Sequence, residues 1–178
     1  ALARDPQMRE RRRAIITAPA SVRSVGEAVM AADRLLETAK AQADAQVSER
    51  NAREKAELMR QLGMDEGESA TKASRTMIRQ LEEDQKRRSK RALTDAIDRA
   101  LIDLLAIYRD VLMVQVGGDG ELINTDLADL VSQIARDSTP RQTLARVDHI
   151  ETARKRLVSN GNPLLVLEDM AISLRPQA

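Results

Sequence analysis

The sequence contains no cysteine, phenylalanine or tryptophan, and Tyr108 is its single aromatic residue. Without cysteine there is no disulfide framework, thiol nucleophile or cysteine-based zinc site, which fits a reducing compartment. No apolar run approaches the roughly 20 residues that span a bilayer. The first residues also lack the apolar core of a signal peptide. We therefore expect a cytoplasmic protein.

A strong net charge is also missing, because 29 basic residues stand against 28 acidic ones, for a formal charge of +1. Only local clusters could therefore favour binding to nucleic acid or to a membrane surface. The 42% of hydrophobic residues are mostly leucine, isoleucine, valine, methionine and alanine. Together with abundant Arg, Glu, Gln and Lys, this composition favours helices over sheets. We expect an all-α fold with a buried core.

Two long helices are predicted in the first two thirds of the chain. Ser24 and Glu27 have the spacing of a capping box, which begins a helix that runs to about Leu62. The acidic, glycine-containing residues 63–69 form the expected turn, and a second helix follows over residues 70–116. The middle of both helices is polar, which is untypical of a core. We predict that residues 24–91 form an antiparallel helical hairpin, an arm, after a short helix within residues 1–23.

From Leu93 the second helix changes character and becomes apolar around most of its girth, which is typical of a central core helix. Gly117 is expected to end it. Its charged residues are predicted to share one narrow solvent-facing stripe: Asp95, Asp98, Arg99, Asp103, Arg109 and Asp110.

Two shorter helices with clear start signals follow. Asn124 or Thr125 is placed to cap the first of them. Thr139, Pro140 and Gln142 predict a capping box for the second, with proline in the first turn. The apolar residues expected to face inward are Leu127, Leu130, Val131, Ile134, Leu144, Val147, Ile150 and Leu157.

A last helix is predicted in the apolar segment near the end of the printed sequence. Gly161 suits a left-handed stop for the preceding helix, Asn162 a cap, and Pro163 the first turn of the new helix. Pro176 is expected to end it. Its leucine spacing predicts the closing helix of a bundle over residues 92–178.

These residues together resemble the C-terminal collar domain of the delta-prime subunit of the bacterial DNA polymerase III clamp loader. The stretches that carry the resemblance are "LIDLLAIYRDVLMVQVGG", "LINTDLADLVSQIA" and "HIETARKRLVSNGNPLLVLEDMAISL". They share a leucine-rich helix with Tyr-Arg-Asp near its end, an Asn-x-Asp helix start, and "N-x-NP" before the last helix. The resemblance covers about Ala92 to Leu174.

The resemblance implies a helical bundle that assembles with the collars of other clamp-loader subunits and has no catalytic role of its own. On this basis residues 1–23 would belong to the end of a lid domain, and the arm looks like an insertion. The chain would be a fragment whose ATPase-like module lies upstream. The residues proposed to supply the subunit interface are Tyr108, Leu112, Leu164, Leu165, Leu167 and Met170.

No motif predicts a cofactor, metal or small-molecule substrate. The sequence has no phosphate-binding loop of the G-x-x-x-x-G-K-[ST] type. His149 is expected on the surface, and Gly117 to Leu122 reads as a turn rather than as a calcium loop. Paired acids such as Glu82 and Glu83 lie on solvent-facing stripes, so an enzyme is not expected.

The basic run "QKRRSKR" supports an alternative function. Clustered positive charge can bind nucleic-acid phosphates, although the neighbouring "LEEDQ" supplies compensating acid and no aromatic residue can stack a base. The arm could then serve a DNA-binding or coiled-coil adaptor, and the collar of the related motor subunit is a further alternative. The candidate DNA contacts are Lys86, Arg87, Arg88, Lys90 and Arg91.

Overall fold

The helices of the chain follow one another with short connections. The computed structural model describes residues 13, 22, 24–63, 71–118 and 120–175. Over these residues it contains five α-helices, one 3-10 turn and no strand, which confirms the all-α prediction. The elements are α1 (Val25–Gln61), α2 (Lys72–Gln115), the 3-10 turn Thr125–Leu127, α3 (Ala128–Arg136), α4 (Pro140–Val158) and α5 (Pro163–Ser173).

Both long helices begin and end within two residues of their predicted limits. The backbone amide of Ser24 donates to Glu27 Oε2, and that of Glu27 donates to Ser24 Oγ, both at 3.1 Å. This is the predicted capping box. The expected helix within residues 1–23 and most of the turn at 63–69 lie outside the described residues. In the described part of the chain, no helix is both long and apolar enough to span a membrane.

The chain divides into two compact units. We call residues 39–96 the arm unit; the described residues up to Thr38, together with those from Ile97 onward, form the bundle unit. Helices α1 and α2 each contribute residues to both units. The predicted limits of 1–23, 24–91 and 92–178 stay predictions.

In the arm unit, α1 and α2 run antiparallel. Val47 clusters with Ala92, Asn51 binds Arg88, and Lys55 lies 3.9 Å from Glu82, so increasing residue numbers on one helix meet decreasing numbers on the other. The small apolar cluster of this unit consists of Ala43, Val47 and Ala92, with Leu93 packed against it. These contacts confirm the predicted antiparallel hairpin.

The bundle unit is built around the second half of α2, as predicted for a central core helix. The largest fully buried apolar side chains are Ile97, Leu101, Leu104, Ile107, Val111, Val131, Ile150, Leu167 and Leu174. Helices α4 and α5 pack against each other. Leu144 was expected inward, but its side chain is 50% exposed, whereas Thr143 and Arg146 of α4 are buried.

Helix ends in the bundle unit follow local backbone chemistry. Thr139 and Gln142 form the predicted capping box, and Asn162 Oδ1 accepts from the backbone amide of Leu164 at 3.0 Å. Gly117 takes a positive φ of 66°, and the amide of the next residue bonds to the Met113 carbonyl oxygen at 3.0 Å. The amide of Gly117 also bonds to the Val114 carbonyl oxygen at 3.3 Å. The two bonds close the end of α2 in a Schellman motif.

The stop after α4 differs from the prediction. Asn160, not Gly161, takes the left-handed conformation, with a φ of 62°. Gly161 is required for another reason, because a Cβ at this position would lie 2.8 Å from the Arg156 carbonyl oxygen and 3.0 Å from a Val166 methyl carbon. The tight junction between α4 and α5 thus depends on the absence of a side chain at Gly161.

Candidate functional site

A buried carboxylate fixes the loop that follows α2. Asp110 is fully buried, and its two oxygens accept hydrogen bonds from the amide of Ile123 at 3.1 Å and from the amide and Nδ2 of Asn124 at 2.8 and 2.9 Å. Arg109 Nη1 donates to Asp110 at 2.8 Å and to the Glu121 carbonyl oxygen at 3.0 Å. The Tyr-Arg-Asp segment therefore holds the Asn-x-Asp segment in place.

This arrangement corrects two predictions. Asp110 does not belong to a solvent-facing stripe, because its carboxylate is needed to satisfy the amides of a turn. Asn124 makes no side-chain cap to the following turn, and its Nδ2 donates to Asp110. Burial alone would raise the pKa of Asp110, but the hydrogen bonds from Asn124, Ile123 and Arg109 outweigh it and hold the pKa below its usual value.

Tyr108 lies beneath an arginine from α4. Its side chain is 3% exposed, and the guanidinium carbon of Arg146 lies 5.9 Å from the ring centroid, within the range of a cation–π contact. Burial raises the pKa of the Tyr108 hydroxyl, and the positive charge of Arg146 partly opposes that rise. The predicted interface residue is thus covered from within its own unit.

The six candidate interface residues differ in their accessibility. Tyr108, Leu167 and Met170 are buried in the bundle unit, Leu112 and Leu164 are half-buried, and Leu165 is 62% exposed. Leu165 lies in the first turn of α5, whose buried residues are Val166, Leu167, Met170 and Ala171. The structure therefore does not gather the six into one exposed patch, and their role at an interface stays a prediction.

The candidate DNA contacts all lie on α2 in the arm unit, and Arg87 and Arg88 are paired with acids. Arg88 is half-buried and binds Glu54 through both Nη atoms, at 2.9 and 3.1 Å, and Arg87 binds Asp84. Lys86, Lys90 and Arg91 are exposed. The pairing removes part of the positive charge from the phosphate-binding surface that the basic run predicts.

The Arg88 pair is also the clearest electrostatic feature of the arm unit. Hydrogen bonds from Arg88 first and Arg50 second lower the pKa of Glu54 to about 2. Beside this pair lies a small groove of about 210 Å³, whose charged lining residues are Arg50, Arg88, Arg91 and Asp95. The groove is cationic but includes one acid.

In the part of the chain that the structure describes, no group of three or more His, Asp or Glu residues is placed to hold a metal ion. His149 is exposed, as expected. The fold and these contacts define a helical domain organised around buried aliphatic residues and one buried acid.

A family model described as DNA polymerase III, delta subunit, C terminal, matches residues 70–175. The chain therefore belongs to this family. The match begins at residue 70, 22 residues before the motif resemblance begins at Ala92. It therefore includes the part of α2 that lies in the arm hairpin.

A delta-prime subunit of DNA polymerase III from Bacillus subtilis (strain 168) is 38% identical over 72 residues. The matched stretch covers 40% of this chain and 22% of the relative, so the chain corresponds to a limited part of that protein. No solved structure matches. The resemblance to the C-terminal region of delta-prime, inferred from the motifs, is confirmed.

The burial of Arg146 was not predicted from the sequence, because charged residues were assumed to face solvent. The signal that could have found it is spacing: Thr143, Arg146, Ile150, Ala153 and Leu157 are the buried residues of α4. Their separations of three and four residues mark one helical face. A basic residue on a buried face is uncommon unless it is paired.

Proposed function

We propose that the bundle unit is the collar-type oligomerisation module of a clamp-loader delta-prime subunit. It would act without catalysis, as a cytoplasmic replication component, by binding neighbouring subunits of the loader. The observation that carries the proposal is Leu165, a large apolar side chain that is 62% exposed in the first turn of α5, within the family-matched region. Burial of such a side chain by a partner lowers the free energy of the complex.

Burial assigns different tasks to the candidate residues. Leu165 and the half-buried Leu112 and Leu164 are accessible to a partner. Leu167 and Met170 face the core and hold α5 in position. Substitutions of Leu167 or Met170 would destabilise the fold, so a loss of assembly in such variants would not identify an interface contact.

The test is a substitution of Leu165 by glutamate in the full-length subunit. Leu165→Glu places a charge where the proposal requires an apolar contact, and we expect it to weaken assembly with partner subunits roughly tenfold or more. Sedimentation velocity measures the complex, and circular dichroism checks that helicity is unchanged. Leu144→Glu is the matched control, since Leu144 is also half-exposed but lies on α4.

The two variants decide the proposal together. Assembly that is lost with Leu165→Glu and kept with Leu144→Glu supports it. Assembly that is unchanged by Leu165→Glu would contradict the proposed contact.

A second candidate function is nucleic-acid binding by the arm unit. The observation in its favour is that Lys86, Lys90 and Arg91 are exposed on one helix, with Arg91 lining the cationic groove. Binding to duplex DNA should be measurable at low salt and should fall steeply as salt rises. Lys86→Ala with Arg91→Ala should reduce it, whereas Arg87→Ala, whose side chain is paired with Asp84, should have a smaller effect.

A further inference from the structure

Arg146 combines deep burial with the absence of a polar partner. The residue is 8% exposed, and its contact in the described chain is with the ring of Tyr108. It forms no hydrogen bond or ion pair with the described residues. Every solvent-shielded side-chain nitrogen of the described residues has a hydrogen-bond partner. Since the Arg146 nitrogens have none, they must still be in contact with solvent.

Two partly buried arginines, Arg154 and Arg88, are paired with carboxylates. Arg154 donates to Asp98 at 2.7 Å and to Glu151 at 3.1 Å, and Arg88 binds Glu54. Burying a cation without a counter-charge is costly, and buried arginines are normally satisfied by carboxylates. Arg146 is more buried than either of these residues and lacks the compensation that both have.

We propose that Arg146 receives an aspartate or glutamate carboxylate from a neighbouring subunit, with Tyr108 as the platform that orients the guanidinium. The ring face below restricts the planar guanidinium, so its N–H groups are held ready for a bidentate contact. This assignment deepens the proposed function and rests on it. It gives the buried Tyr108 an indirect part in the interface.

The surroundings of Arg146 favour a protein partner over a nucleic acid. On the same helix, the residues three and four positions from Arg146 are Gln142, Thr143, His149 and Ile150, so no lysine or second arginine is its neighbour on that face. A phosphate backbone is normally bound by several cations. A single arginine without a neighbouring lysine or arginine matches one carboxylate on another protein.

The test measures assembly of the full-length subunit with its partners for Arg146→Gln and for Arg141→Gln. Arg141 is an exposed arginine on the same helix and serves as the control. We expect Arg146→Gln to weaken association roughly tenfold to a hundredfold, as for other desolvated charge pairs, and Arg141→Gln to change it less than about twofold. Equal affinities for the two variants would overturn the proposal.

The thermal stability of the isolated subunit separates an interface role from a structural one. Removing an unpaired buried cation should leave the melting temperature unchanged or raise it. A large drop would mean that Arg146 stabilises the fold, and would count against the proposal. If Arg146→Gln does not fold, Arg146→Lys replaces it, since lysine keeps the charge but loses the bidentate geometry. Association of Arg146→Lys with the partner subunits should still be weakened, and unchanged association would contradict the proposal.

The carboxylate itself is found by double-mutant cycles. Single Asp→Asn and Glu→Gln substitutions on the partner subunit should include one that weakens binding to the wild type but not to Arg146→Gln. The proposal would be overturned if no such coupling were found. It would also be overturned if acetate alone shifted the Arg146 resonances while Arg146→Gln left assembly unaffected. If Leu165→Glu and Arg146→Gln both leave assembly intact, the collar role fails as well; loss with Leu165→Glu alone removes only the role of Arg146.

Discussion

The arm unit and the bundle unit use the same two helices in different ways. In the arm, α1 and α2 meet through alanines, one valine and polar pairs such as Arg88 with Glu54. In the bundle, large aliphatic side chains are fully buried and one acid, Asp110, is buried among amides. A helix can thus change its packing chemistry along its length without a break, because its backbone hydrogen bonds are satisfied internally.

The largest effect that separates the two units should come from Asp110. Asp110→Ala leaves the amides of Ile123 and Asn124 without their acceptor and removes one of the two acceptors of Arg109, and we expect it to destabilise the bundle by about 3 to 5 kcal/mol. Chemical denaturation followed by circular dichroism measures this loss. Asp129→Asn on the exposed side of α3 is the control and should change stability by less than about 0.5 kcal/mol.

Native-state hydrogen exchange sharpens the result. Asp110→Ala should lower protection in α3 and α4 while protection in residues 39–96 falls less, because the two units are separately compact. A uniform loss across both units would contradict the comparison.

Removing apolar volume should also cost more in the bundle than in the arm. Leu101→Ala opens a cavity at a fully buried site and should cost about 3 kcal/mol, whereas Val47→Ala should cost about 1 kcal/mol. Urea denaturation of the two single variants checks this order. Equal costs would mean that the arm contains a core as well packed as that of the bundle.

The helix ends of the two units should respond in opposite directions. Gly63 in the arm and Asn160 in the bundle both have a left-handed backbone, with φ of 63° and 62°. Gly63→Ala should destabilise by about 1 kcal/mol, while Asn160→Gly should stabilise by about 0.5 kcal/mol, because glycine has no Cβ penalty there. Thermal denaturation measures both, and Gly26→Ala, at a helical position without a close neighbour, should be neutral or stabilising.

The arm should respond to acid through Glu54. Since the pKa of its carboxyl is lowered from 4.5 to about 2, its ionised form contributes stability that is fully present above pH 4.5 and is lost as the pH falls through 2. A nuclear magnetic resonance titration of the Glu54 carboxyl carbon should therefore give a midpoint of about 2. Arg88→Gln should move the midpoint up toward 4.5, and Arg79→Gln, which removes a pair on the exposed face, should not.

Features with a local cause were predictable from the sequence. The capping boxes at Ser24 and Thr139, the cap at Asn162 and the stop at Gly117 each depend on a few neighbouring residues. The core half of α2 followed from apolar residues around most of its girth. Sequence spacing is sufficient there because helix contacts repeat every three or four residues.

Features that depend on distant partners were not predictable. Asp110 was placed on a solvent stripe because nothing near it in sequence reveals that Asn124 will supply two donors from 14 residues away. Arg146 was overlooked because its platform, Tyr108, lies on another helix. Leu144 was placed inward by spacing alone, although the inward face of α4 passes through Thr143 and Arg146 instead.

The candidate interface shows the same limit. The resemblance predicted an interface on the helices around Tyr108 and Leu165, but a helix pattern cannot separate buried residues from exposed ones. The structure makes that separation, since Leu165 is exposed and Leu167 is not. The proposed contact is therefore narrower than the six residues named from the sequence.

The assembly role of the bundle is tested most directly by sedimentation velocity of the full-length subunit, as wild type and as Leu165→Glu, each mixed with the other loader subunits. The wild type should enter the complex, and Leu165→Glu should sediment alone with its helicity unchanged. A Leu165→Glu subunit that joins the complex as well as the wild type would contradict the proposed contact.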